Sequence, residues 1–445
     1  MAVNRRYGPS TDGKPADKTT DFVHTKLSMP TDPDSFSPGS TFKVFTLIAA
    51  IEQGLPLSTT FNAPACYESA IYVNPPGNNC PEDPSGTGFR NAGDSEAGVF
   101  SLTTATWDSV NTYFIQLEER VGVLKVAEMA RRLGVTSYRL RPYGEDDKGG
   151  VSDGEGSLTL GSHEASTLDM ATAYATLAAR GLRCYPRPVL SVTGGGRPVS
   201  YGAPEPCRQV VRPEVADTVS SVLQGVINRG TAARNGPIGR PAAGKTGTAE
   251  NHSDAWFVGY VPQVAAAVTV ADPRGTTKYP LQVSPYPPEG VPVPGWDARR
   301  PVFGGDLPTQ IWARTMRDVL ARENIPAVPL PPPDDTQPAT SKVGVPDVVG
   351  QGLRAALVTL RGAGLSAHVG VAGGRGRRGT VVRTDPPPGA QVELGSSVTL
   401  FVARSGQGAQ PLPAWAPPRR GAAGGTPFPL PAGPPILVTA GGTGR

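Results

Sequence analysis

The sequence predicts an α/β domain followed by a small α+β domain, and three observations carry that reading. Helical segments of period near 3.6 recur through the first two thirds of the chain, short extended runs cluster after residue 244, and a proline-rich stretch precedes a compact strand–helix–strand pattern. Taken in order, residues 41–53 read TFKVFTLIAAIEQ, apolar on nearly every face, which predicts a buried helix. Further helices are predicted over residues 104–121, 124–133, 167–179 and 213–228. Residues 245–248, 255–260 and 264–270 then form an extended meander, with Pro262-Gln263 as the turn between the last two runs. Residues 324–343 carry too much proline for a helix or a central strand and read as a semi-rigid spacer. The expected domains are therefore 1–323, a linker at 324–343, a compact unit at 344–405, and a Gly/Pro-rich tail at 406–445 in which disorder is expected.

Composition narrows the function. A chain of 445 residues, 38% of them apolar, can build two or three domains and at least one large core. The formal net charge of +4 is small, so no nucleic-acid partner is expected, and Arg375-Gly376-Arg377-Arg378 reads as a solvated loop. Four scattered histidines and no Cys-x-x-Cys leave no metal site to expect, and no cofactor is expected either. Cys66 and Cys80 bracket one loop, and Cys184 and Cys207 a hairpin-like stretch. Two local disulfides fit an extracytoplasmic protein, while four free thiols would fit a cytosolic one. The polar N-terminus lacks the apolar core of a signal peptide, and no run reaches the ~18 apolar residues of a membrane span.

Chemistry concentrates in three motifs. Ser40-Thr41-Phe42-Lys43 follows the turn former Pro38-Gly39 and places a hydroxyl and an amine one helical turn apart. A buried lysine loses basicity and can accept the serine proton, and a helix N-terminus favours negative charge on the oxygen. Ser109-Val110-Asn111 and Lys245-Thr246-Gly247-Thr248 follow in that order. Singly, each has a plain structural reading: a capping serine with a snorkelling lysine, a capped polar turn, and a surface strand end. Together and in order they are far more specific.

The triplet resembles the motif set of the penicillin-binding proteins and serine β-lactamases. The longer stretches SPGSTFKVFTLIAAIEQG, LTLGSHEASTLDMATAYATLAARG, GKTGTAENHSDAWFVGYVP and VFGGDLPTQIWARTM resemble the transpeptidase domain of class A, bifunctional penicillin-binding proteins. Val345-Pro346-Asp347-Val348-Val349-Gly350, Pro386-Pro387-Pro388-Gly389-Ala390 and Val398-Thr399-Leu400 resemble a PASTA domain. The resemblance implies a penicillin-binding/serine β-lactamase-like fold: an antiparallel sheet with flanking helices, and a helical subdomain carrying Ser109 and Asn111. It implies a D,D-transpeptidase in which Ser40 is the nucleophile, Lys43 its base, Ser109 a proton relay and Asn111 a support. Lys245, Thr246, Gly247 and Thr248 would then hold the substrate carboxylate, with the N–H groups of Ser40 and Thr248 as oxyanion donors. Implied partners are peptidoglycan stem peptides ending in D-Ala-D-Ala, β-lactams, and glycan or muropeptide contacts through the PASTA unit.

The same resemblance sets expectations about the ends of the function. In the family a membrane anchor and a glycosyltransferase domain precede the transpeptidase, and two strands and a helix precede the position matched by Asn4-Arg5-Arg6-Tyr7-Gly8. The chain is thus expected to be N-terminally truncated, without glycosyltransferase activity, and to act outside the membrane. A D,D-carboxypeptidase or β-lactamase would share the acylation step but needs a carboxylate to activate water, for which Glu155 and Glu164 are the nearby candidates. A non-catalytic wall-binding or β-lactam-sensing protein is the remaining alternative.

Overall fold

A computed structural model describes residues 6–7, 20–21, 33, 36–69, 71–72, 80, 88–93, 96–144, 150–187, 189, 191–199, 206–271, 302–333, 342–363, 365–372, 377, 379–393 and 396–403. Residues 406–445, and most of the basic run at 375–378, lie outside the described residues. Strands β1 (Arg6–Tyr7) and β2 (Thr20–Asp21) pair in parallel. A 3₁₀ turn at Gly39–Phe42 leads straight into helix α1 (Lys43–Glu52), of which every residue but Glu52 is buried. Its apolar composition leaves no face for water, and each fully buried Leu, Ile or Phe is worth about 1.5–3 kcal/mol. Arg132 grips Glu52 with two nitrogens at 2.8 and 3.0 Å, fastening α1 to a later helix.

Two short antiparallel pairings follow. They involve β3 (Thr60–Ala63), β4 (Cys66–Tyr67), β5 (Phe89–Arg90) and β6 (Gly98–Ser101), with β3 on β6 and β4 on β5. Much later, β7 (Leu182–Arg183) pairs with β10 (Arg208–Gln209), and β8 (Val192–Gly194) with β9 (Arg197–Val199). Both expected disulfides are formed, Cys66–Cys80 and Cys184–Cys207.

Helices α2 (Leu102–Asp108), α3 (Asn111–Val121), α4 (Val123–Leu133), α5 (Thr167–Ala178) and α6 (Pro213–Asn228) build the body. The single helix expected over 104–121 is instead two. A capping box of Ser101 and Thr104 starts α2, and Ser109 stops it by turning into the left-handed region at φ +62°. Glu118, on α3, is fully buried. Burial drives its acid well up, the Glu155 and Glu119 charges add to the effect, and the Thr159 backbone offsets part of it.

The sheet is β11 (Ala243–Thr248), β12 (Asp254–Val261) and β13 (Val264–Ala271), antiparallel and in that order. All of β12 is buried, which requires cover on both faces, and α5, α6 and α7 (Leu307–Arg322) supply it. Helix α7 was not among the helices read from periodicity; Pro308 near its start and Trp312, whose indole donates to Gly259 O at 3.1 Å, set its place.

A second core gathers Val345, Val348, Ala356, Leu360, Leu365, Val398 and Leu400. It is built from β14 (Lys342–Gly344), α8 (Leu353–Gly362), β15 (Ser366–Ala372), β16 (Val381–Asp385), β17 (Gln391–Glu393) and β18 (Ser397–Ala403). β18 is central, parallel to β15 and antiparallel to β16. Ile71 of the larger unit packs against this core, and α8 lies against α3.

The buried acid of Glu118 makes a stability prediction. A carboxyl whose pKa is raised in the folded state is lost as a neutral partner when pH climbs above its unfolded value of about 4.3, so stability falls with rising pH. Glu118→Gln should therefore melt higher than the parent at pH 8, and the difference should shrink towards zero near pH 4. Thermal melts at the two pH values check it, and a constant difference would contradict it.

Candidate active site

The site forms where the 3₁₀ turn, the α2–α3 break and the edge strand β11 meet. In a 3₁₀ turn side chains three apart eclipse, so Ser40 and Lys43 stand on one side. The turn is clamped locally: Thr41 Oγ1 and Thr41 N both donate to Pro38 O, at 2.7 and 3.3 Å. It is also clamped at long range, where Ser37 Oγ donates to Gly161 O at 2.6 Å and Tyr174 OH to Thr41 O at 2.9 Å. Gly39 takes φ +55°, and a Cβ there would lie 2.8 Å from the Thr248 backbone. Gly247 approaches Pro38 O so closely that its own Cβ would lie 2.4 Å away. Glycine at these two positions is what lets the strand lie against the nucleophile turn.

Lys43 is fully buried and its amine donates to Ser109 O at 2.5 Å, Asn111 Oδ1 at 2.6 Å and Ser109 Oγ at 3.3 Å. Lys245, also fully buried, donates to the same Ser109 Oγ at 2.7 Å and to Thr246 O at 3.2 Å. One hydroxyl thus sits between two amines. Desolvation drives Lys43 well below the ordinary lysine range, the Lys245 charge lowers it further, and Glu96 pulls the other way. Desolvation likewise brings Lys245 down to about 7, against Glu96 and Asp108. Among the described residues no hydrogen bond joins the half-buried Ser40 Oγ to the Lys43 amine.

The rest of the strand is set by register. Ala249 N donates to Asp254 O, and each residue alternates in an antiparallel pair, so Thr246 and Thr248 turn their N–H groups away from β12 to the free edge. Thr246 Oγ1 is matched with Thr231 Oγ1 at 2.6 Å, and Thr231 N donates to Trp107 O, which ties β11 to the end of α2. Thr248 Oγ1 accepts from Gly304 N at 3.0 Å and keeps its own hydrogen to donate. All eight sequence-predicted residues, Ser40, Lys43, Ser109, Asn111, Lys245, Thr246, Gly247 and Thr248, are brought together.

Sequence reasoning missed Glu96, Asp108, Thr231 and the Arg90–Asn91 pair, none of which has a local signal. Conversely, the two carboxylates it put forward for water activation are engaged elsewhere: Glu155 lies 2.6 Å from His163 Nε2, and Glu164 pairs with Arg139 at 3.4 Å. Glu96 is the carboxylate whose charge bears on both site lysines, and burial raises its own pKa.

The model of the penicillin-binding protein transpeptidase domain matches residues 2–285. This chain belongs to that family. The PASTA domain model matches residues 343–404. The relatives agree. The chain is 32% identical over 308 residues to "Penicillin-binding protein 1A" of Mycolicibacterium smegmatis, covering 66% of this chain and 34% of that protein. It is 29% identical over 307 residues to the Mycobacterium tuberculosis protein of the same name, covering 66% and 33%. Among solved structures, PonA1 of Mycobacterium tuberculosis in complex with penicillin V superposes with a TM-score of 0.53 at 27% identity, over 70% of this chain and 76% of that one. The chain therefore spans about a third of the length of the curated relatives it matches. Proteins of this family act outside the cytoplasm; no helix among the described residues is long and apolar enough to cross a membrane.

The lysine pair makes a pH prediction. A lysine paired with a carboxylate must carry its proton, and the depressed pKa of about 7 means that Lys245 loses its own as pH rises through neutrality. The second-order rate of penicillin acylation should fall between pH 6 and 9. Lys245→Arg, charged throughout, should be slower at pH 6 but lack that decline. A flat parent profile over this range, measured by time-resolved labelling, would contradict it.

Proposed function

We propose that the chain is a peptidoglycan D,D-transpeptidase that works through an acyl-enzyme on Ser40 and is blocked when a β-lactam acylates the same oxygen. The observation that carries this reading is the Ser109 hydroxyl held between Lys245 and Lys43, the latter one turn from Ser40. That arrangement supports proton traffic from nucleophile to leaving group without histidine.

Ser40 Oγ attacks the carbonyl carbon between the two terminal D-alanines, and Lys43, held neutral by burial, takes the hydroxyl proton. Asn111 Oδ1 and Ser109 O steer the lysine lone pair by fixing its hydrogens. The oxyanion meets the N–H groups of Ser40 and Thr248, the second of which faces the free strand edge. Lys245 and Thr248 Oγ1 hold the terminal carboxylate, and the engaged Thr246 supports the strand. The proton then passes from Lys43 through Ser109 Oγ to the departing nitrogen, the C–N bond breaks, and D-Ala leaves. An acceptor amine attacks the ester, forms the new amide and returns a proton to Ser40 by the reverse route. A β-lactam presents the same carboxylate and amide, but its leaving nitrogen stays tethered and the ester persists. The PASTA unit is the proposed contact to wall glycan or muropeptide, and the site of action is the outer face of the membrane.

The hydrolase alternative rests on Glu96, the carboxylate nearest in effect to both lysines. A penicilloyl adduct that clears within seconds would favour it; one lasting minutes to hours favours the transpeptidase.

Fluorescent penicillin should label the protein, Ser40→Ala should abolish the label, and mass spectrometry should place the adduct on Ser40. Lys43→Arg should slow acylation about 10²–10⁴-fold, because guanidinium does not release a proton. Lys245→Arg should be milder. Equal losses would remove the division of labour between the two lysines, and an adduct on another residue would remove the mechanism.

A further inference from the structure

The Asn111 amide is used at both ends. Oδ1 accepts from Lys43 at 2.6 Å, and Nδ2 donates to Arg90 O at 2.9 Å. The second bond decides which way the amide faces, since rotating it by half a turn would set its NH₂ against the lysine amine. Arg90 therefore orients the group that orients Lys43. Its own strand is weak: among the described residues β5 is a two-residue strand paired with the two-residue β4 alone, and such pairs are marginal by themselves.

The brace around it is specific. Cys66 of β4 stands directly opposite Arg90, and its disulfide partner Cys80 is buried with Sγ 3.6 Å from Phe89 O. Just before Cys66, Pro64 O accepts from Asn91 Nδ2 at 3.2 Å and from Thr112 Oγ1 at 2.8 Å, and Ala65 O accepts from Asn91 N at 3.1 Å. Asn91 Oδ1 in turn accepts from Thr112 N at 2.9 Å, next to Asn111 itself. The other disulfide, Cys184–Cys207, lies beside the exposed β7–β10 pair, whose side chains donate to Arg131 O, Arg132 O, Arg180 O and Val211 O, none of them in the site.

We propose that Cys66–Cys80 is a positioning cross-link for acylation: it holds β4 against β5 so that the Arg90 carbonyl keeps Asn111 turned toward Lys43. This rests on the reading of Lys43 and Asn111 as acylation machinery. The cross-link touches no reacting atom and acts only through Asn111.

The test is a double-mutant cycle on the full chain, reading the second-order rate of fluorescent penicillin labelling. Cys66→Ser/Cys80→Ser should slow labelling about tenfold or more, the scale expected when a supporting group is displaced by a fraction of an ångström to an ångström. Cys184→Ser/Cys207→Ser should label at the parent rate. In an Asn111→Ala background, adding Cys66→Ser/Cys80→Ser should cost nothing further, because the path it acts through is gone. Cys66→Ala/Cys80→Ala, which puts no hydroxyl in the buried Cys80 position, should repeat both results and carries the test should the serine variant not fold. Equal losses from the two disulfide variants, or a loss that is undiminished in the Asn111→Ala background, would overturn the proposal. Label surviving Ser40→Ala would instead overturn the reading it rests on.

Discussion

Two ammonium-bearing side chains sharing one hydroxyl acceptor inside the protein is the constraint around which the rest of the structure is arranged. Two unit charges about 4 Å apart repel by about 4 kcal/mol at an effective dielectric of 20, before either has been desolvated. Repulsion of this kind adds to the desolvation that lowers both lysines, and Lys43, the one beside Ser40, is driven well below its ordinary range. The Lys245 charge lowers Lys43 on top of its burial, whereas the Glu96 and Asp108 charges work against the lowering of Lys245. Two buried lysines are thus distinguished by the charges that surround each.

Holding that arrangement requires three segments far apart in sequence to approach at backbone distance. The Pro38–Gly39 turn, the edge of β11 and the Gly161 loop meet where no Cβ fits, since a Cβ on Gly161 would lie 2.4 Å from Gly39 N. Gly304 closes the other side, its N–H on Thr248 Oγ1 and its Cα against Gly247 and Trp256. The same contacts that exclude side chains aim the Thr248 N–H at the free edge. Local rigidity here is a consequence of close packing and not of any single strong bond.

Glu96 and Asp108 add acidic charge next to the lysine pair, and each is itself raised by burial. Glu118 buries a further carboxyl one helix deeper. The second core is small and belongs to the matched PASTA region, yet Ile71 reaches it from the segment that also carries the Cys66–Cys80 loop. Helix α3 therefore has Asn111 at one end of its first turn and α8 against its surface.

Much of the molecule was legible one segment at a time. The helix at 213–228 and the three strands after 243 agree with periodicity to within two residues, because burial of one face or of all faces is written locally. Both disulfides followed from loop spacing. The motifs singled out the eight residues of the site because a nucleophile and base one turn apart is a local pattern. What tertiary structure alone decided is of another kind. The break of the 104–121 helix at Ser109 has no glycine or proline to announce it. Ser109 adopts φ +62° because its hydroxyl and carbonyl are claimed by two lysines that lie 66 and 136 residues away along the chain. Glu96 reads as one more polar loop residue, and Thr231 as a helix-end threonine, until the fold sets them beside Lys43 and Thr246. The sequence determined by itself which segments would form and which carried reactive groups, since those depend on neighbours within a turn or a strand. Which carboxylate bears on the lysines, and which amine stays neutral, depended on distances between segments that only the packed chain defines.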